Sequence, residues 1–168
     1  MKNSPISRRV FLEFSAARTA GLLLAPTASF AQTQAQSKPP ALKPALVEEF
    51  VRAGHFNPDR VKEMLTQEPG LLNACWDWGG GDFETALGGA GHMGRKDIAE
   101  FLVGQGCRMD IFAATMLGKM EIVKAMLTAF PNLAQSKGPH GLTLMHHAKK
   151  GGDEDAPMVK YLESLGAI

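Results

Sequence analysis

Apolar residues recur along this chain in short blocks at helical spacing, separated by glycine and proline. Ile98, Phe101 and Leu102 share one face of a helix over 96–103, and Ile122, Val123, Met126 and Leu127 do so over 121–130. Gly106 stops the first block and Pro131 follows the second. A shorter block precedes each of them: 85–93 ahead of Gly94, and 111–114 ahead of Gly118. An earlier pair runs over 46–53, stopped by Gly54, and 59–67, stopped at Glu68-Pro69. A last pair opens near Thr143 and closes with a helix over 158–165. The pattern predicts an all-α fold built of helical pairs.

The blocks also repeat as text. Thr85-Ala86-Leu87-Gly88-Gly89-Ala90 runs to Gly94, then to Ile98-Ala99-Glu100-Phe101-Leu102 and Gly106-Cys107. Thr143-Leu144-Met145-His146-His147-Ala148 runs to Gly152, then to Met158-Val159-Lys160-Tyr161-Leu162 and Gly166-Ala167. Lys62-Glu63-Met64-Leu65-Thr66 likewise matches Lys124-Ala125-Met126-Leu127-Thr128, with Pro69 and Pro131 following at the same offset. The marker glycines 54, 94, 118 and 152 are unevenly spaced, so the joins between units differ, and the longest holds a large turn over 73–84. A unit of this size cannot bury its apolar face alone, which predicts stacking of neighbours.

On these residues the chain resembles the ankyrin-repeat family, whose unit is a β-turn followed by two antiparallel helices with a T-P-L-H-x-A start. Thr143, His146 and Ala148 fit that start, as do Thr85, Leu87 and Ala90. The resemblance covers most of 45–168 and implies an α-solenoid of about four ankyrin-like helix-turn-helix repeats with β-turn connections. It assigns His146 a structural role tying its turn together, and leaves His147 projecting sideways. A threonine at each helix start accepts a bond from an otherwise unpaired backbone N–H. Small Ala90, Ala114 and Ala148 let helices approach closely.

The first 31 residues read as an export signal rather than as part of the fold. Ser7-Arg8-Arg9-Val10-Phe11-Leu12 precedes a mildly apolar stretch and a small-residue end at Ser29-Phe30-Ala31. Arg8, Arg9, Phe11 and Leu12 resemble a twin-arginine signal, although Glu13 stands where that family often has Lys. This implies export to the periplasm in the folded state. Residues 32–44, rich in Gln, Ser, Pro and Lys, read as a flexible linker, which leaves 45–168 as the repeat domain. The signal holds Lys2, Arg8, Arg9 and Arg18 against Glu13, so the remaining 137 residues carry 14 basic and 16 acidic groups, a net of −2. No basic stripe for nucleic acid remains, and no apolar run reaches the roughly 20 residues of a membrane span.

Chemistry is sparse. No nucleophile elbow or phosphate loop is present, and Gly79-Gly80-Gly81 has neither Walker nor Rossmann spacing. His146-His147, with Asp153, Glu154 and Asp155 nearby, matches no zinc pattern, so no metal site, cofactor or catalytic residue is expected. Cys75 and Cys107 read as separate thiols. The strongest binding signal is the 76–83 turn, with Trp76, Asp77, Trp78, Asp82 and Phe83; tryptophan is favoured at interface hot spots. In an ankyrin-like stack the first helices line the concave side, here His92, Met93, Met116, Leu117 and His147. The expected function is therefore non-catalytic binding of an unidentified protein partner. The alternatives are a small-ligand binder using the groove under the turn, a redox-linked enzyme accessory subunit, and self-association through the last helix.

Overall fold

Five of the eight helices among the described residues start on a recognisable signal. The computed structural model describes residues 38–153 and 156–167. The signal-peptide reading of 1–31, with Arg8, Arg9, Phe11 and Leu12, lies outside them, as do residues 32–37 of the 32–44 linker. The helices are α1 (Pro44–Gly54), α2 (Pro58–Gln67), α3 (Ala86–Met93), α4 (Lys96–Gly104), α5 (Ile111–Met116), α6 (Met120–Ala129), α7 (Leu144–Lys150) and α8 (Ala156–Ser164). Thr85 Oγ1 accepts from Gly88 N at 3.0 Å, and Thr143 Oγ1 accepts from His146 N at 3.3 Å. Asn57 and Asp110 cap α2 and α5 in the same way, at 3.0 and 2.7 Å. Proline occupies the first turn of α1 and α2, where its missing N–H has no partner to lose.

The helices pair in chain order: α1 with α2, α3 with α4, α5 with α6, and α7 with α8. The first member of each pair also packs on the next, so that α1, α3, α5 and α7 touch in succession. Three of the four marker glycines, Gly94, Gly118 and Gly152, share a left-handed φ of 65–83° at the bend between helices. Gly54 differs. A Cβ there would stand 2.5 Å from the Ala86 carbonyl, so it serves the close crossing of α1 and α3 instead of a left-handed bend.

The core is a run of apolar side chains along this succession. Phe50, Val61, Met64, Leu87, Ile98, Leu102 and Met116 are buried in one cluster, and Ile111, Val123, Leu127, Leu144, Met158 and Leu162 in a second. The described residues from 39 onward form one compact unit. No described helix is long and apolar enough to cross a membrane.

The long join between α2 and α3 is a hairpin. Strands β1 (Cys75–Asp77) and β2 (Phe83–Thr85) pair antiparallel, with Trp76 opposite Glu84. Its tip is Gly79-Gly80-Gly81, all at positive φ, and Asp77 Oδ1 accepts from Gly79 N and Gly81 N at 2.9 and 3.1 Å. The hairpin packs against α1 and α3, and β2 runs straight into the Thr85 cap.

Candidate functional site

Glu84 is the centre of the site. Strand alternation turns Phe83 outward and Glu84 inward, and the Glu84 carboxylate is fully buried. Three imidazoles converge on it from three separate segments. His55 follows α1, His92 lies in the last turn of α3, and His140 sits in the turn that precedes α7. Their Nε2 atoms lie 3.2, 3.0 and 3.4 Å from a Glu84 carboxylate oxygen. Trp78 Nε1–H donates to Glu84 Oε2 at 2.7 Å.

On two of the three rings, the nitrogen that faces away from Glu84 is held in turn. His55 Nδ1 lies 3.0 Å from the Val51 carbonyl, which requires a proton on Nδ1 and leaves Nε2 bare in the neutral ring. His140 Nδ1 lies 2.8 Å from Asp82 Oδ2, and the His140 backbone N–H donates to Asp82 Oδ1 at 2.8 Å. The hairpin tip and the 139–141 turn are thereby tied together across 58 residues of chain.

Two features of the backbone serve this arrangement. His140 has φ 57°, the one positive value at a non-glycine residue among those described. Non-glycine residues avoid this region, and such strain is concentrated at functional sites. Gly89, in the interior of α3, has no room for a side chain, because a Cβ would stand 2.7 Å from His55 Nδ1. The glycine-rich sequence of α3 is thus partly explained by the seat of His55.

The electrostatics favour a charged carboxylate. Burial works against the charge on Glu84, but the imidazole nitrogens of His55 and His92 and the indole N–H of Trp78 outweigh it and hold the carboxyl down at about 2. The Glu84 carboxylate raises the pKa of His55, against the effect of burial. Glu84 Oε1 and His92 Nε2, both buried, face each other at 3.0 Å, which is an ion pair only with a protonated ring, and neither has another partner among the described residues. Of the described residues, His55, Glu84, His92 and His140 form the group whose donor atoms could hold a metal, all lying within 4.8 Å of one another.

The residues singled out from the sequence fall in three places. Trp78, Asp82 and His92 belong to this cluster or brace it, and Trp76 lies half-buried beside it across the hairpin. Met116 and Leu117 are buried in the core, and His147 is buried rather than projecting. It is His147 Nδ1 that lies 2.8 Å from the Thr143 carbonyl, while His146 Nε2 reaches the His92 carbonyl at 3.0 Å. Phe83 and Met93 are exposed, at 61 and 46 %; Asp77 is exposed at the hairpin. Cys75 is exposed, and buried Cys107 donates weakly to the Leu72 carbonyl at 3.4 Å. Burial raises the pKa of both thiols.

Sequence reasoning missed His55, Glu84 and His140. They lie far apart in the chain, and none belongs to a recognised spacing. The available signals were local: a histidine directly after Gly54, a lone glutamate in an aromatic hairpin, and Gly138-Pro139-His140-Gly141. The chain matches no protein-family model, and no curated protein or solved structure is significantly similar to it.

Proposed function

We propose that this chain is an exported ankyrin-like repeat module that recognises a protein partner without a covalent step, using the face that carries the 76–83 hairpin. One observation carries the reading: a hairpin anchored from inside, by Trp78 on Glu84 and Asp82 on His140, that holds Phe83 out in solvent at 61 % exposure. An aromatic ring displayed on a braced element loses little conformational entropy on binding, which suits an interface anchor. Exposed Met93 lies at the end of α3, the helix that β2 leads into, and supplies an adaptable apolar neighbour. The succession of α1, α3, α5 and α7 supports the repeat reading, since each first helix has a neighbour of the same kind to cover it. Twin-arginine export and a periplasmic location belong to the same proposal and rest on residues 1–31 alone.

The test is cross-linking of the full chain in its native compartment, with quantitative mass spectrometry of wild type against Phe83→Ala. The expected result is a defined protein enriched by wild type and lost from the variant. No enriched protein, or equal enrichment by both chains, would contradict the reading.

A further inference from the structure

We propose that His55, Glu84, His92 and His140 bind one divalent transition-metal ion of the zinc class. The donor set is three imidazole nitrogens and one carboxylate, a chemistry that suits zinc and its neighbours more than magnesium or calcium. Zinc bound at about 2.0–2.1 Å to four ligands spaces those ligands about 3.3–3.4 Å apart. The Nε2 atoms of His55 and His140 stand 3.2 and 3.4 Å from Glu84 Oε2 and that of His92 3.0 Å from Oε1, and one donor atom from each of the four residues lies within 4.8 Å of the others, close enough for small side-chain movements to close the site.

Four further observations point the same way. First, Glu84 Oε1 and His92 Nε2 are buried, face each other at 3.0 Å and have no partner besides each other among the described residues. A carboxylate oxygen and a bare ring nitrogen repel unless a proton or a cation lies between them. Second, the non-ligating nitrogens of His55 and His140 are already engaged, by the Val51 carbonyl and by the Asp82 carboxylate. That outer arrangement is the usual one for metal-bound histidine, because it fixes the ring and raises its basicity. Third, the charges balance: Glu84 and Asp82 together offset a doubly charged ion, while the nearby Arg52, which lies over the Trp78 ring, is paired with Glu48 at 2.8 Å. Fourth, His140 keeps a left-handed backbone and Gly89 keeps a bare Cα, and both concessions place an imidazole on Glu84.

The ion would join α1, the hairpin, α3 and the turn before α7 at a single point. This site stands independently of partner recognition, since Phe83 is not among its ligands.

The test uses the untagged full chain, stripped with chelator and titrated with zinc chloride by calorimetry, with cobalt(II) absorption as a second readout. One ion per chain is expected, with the intense visible bands of tetrahedral cobalt. His92→Asn should weaken zinc binding by about 100-fold or more, and Asp82→Ala, which removes the brace on His140 and one of the two balancing charges, by about 10- to 100-fold. His140→Ala, on an exposed turn, provides a ligand deletion that keeps the fold, checked by circular dichroism. Absence of zinc binding by the wild-type chain would overturn the proposal. So would one ion bound equally well by the wild type, His92→Asn and His140→Ala, which would mean that the four residues form a proton-linked cluster and the ion sits elsewhere.

Discussion

Gly89 and Gly104 are both helical glycines, yet the structure gives them opposite roles. A Cβ at Gly89 would meet the His55 ring at 2.7 Å, whereas one at Gly104 would meet nothing within 4 Å. His55 cannot easily yield, because Val51 holds one side of its ring and Glu84 the other. Gly89→Ala should therefore destabilise the fold by about 1–3 kcal/mol despite the better helix propensity of alanine. Gly104→Ala should stabilise it by about 0.4–1 kcal/mol. Urea denaturation of the two variants checks both signs.

His147 makes a second residue-scale prediction. Burial lowers its pKa below the usual 6.5, with the nearby charges of His146 and His92 adding to this and the Thr143 carbonyl and Asp110 opposing it. The unfolded chain therefore takes up a proton that the folded chain resists, so this residue costs stability as pH falls below 6.5 and nothing well above it. Melting temperature should drop between about pH 7.5 and about pH 5, and His147→Asn should shrink that drop. An unchanged pH dependence in the variant would show that His147 is not buried neutral.

At the scale of elements, the threonine caps are the features that local sequence announced most clearly. Thr143→Ala removes the acceptor for His146 N and should cost about 1 kcal/mol, read from chemical denaturation. The helices themselves were legible because their apolar positions keep a 3.6-residue period and their ends carry Gly, Pro, Thr or Asp. The hairpin was legible only as a turn. Its strands are three residues long, too short for alternation to stand out, and nothing in Trp76-Asp77-Trp78 says which indole N–H meets a carboxylate. The answer depends on Glu84, whose carboxylate draws the Trp78 indole to 2.7 Å. Met116 and Leu117 show the converse. Their places on a first helix suggested an open concave face, but α5 is six residues long and lies between α3 and α7, so these side chains are covered.

For the molecule as a whole, the helical pairs could be read and the convergence of distant side chains could not. Thr85 and Thr143 each cap a helix, and those helices, α3 and α7, are in contact as well as each touching α5. The gathering of His55, Glu84, His92 and His140 follows from how those helices pack and how the hairpin folds back, which no single segment encodes. If an ion closes the cluster, it links the first helical pair to the turn before the last. Stripping zinc should then lower the melting temperature of the wild-type chain and leave that of His92→Asn unchanged, since a ligand that binds only the folded state stabilises it. Equal melting of the wild-type chain with and without zinc would speak against that link. The most direct single measurement is anomalous diffraction at the zinc edge from crystals grown with zinc. One peak is predicted among His55, Glu84, His92 and His140, about 2.0–2.1 Å from their donor atoms. A map with no peak there, or with the three rings turned away from Glu84, would contradict the site and the packing that creates it.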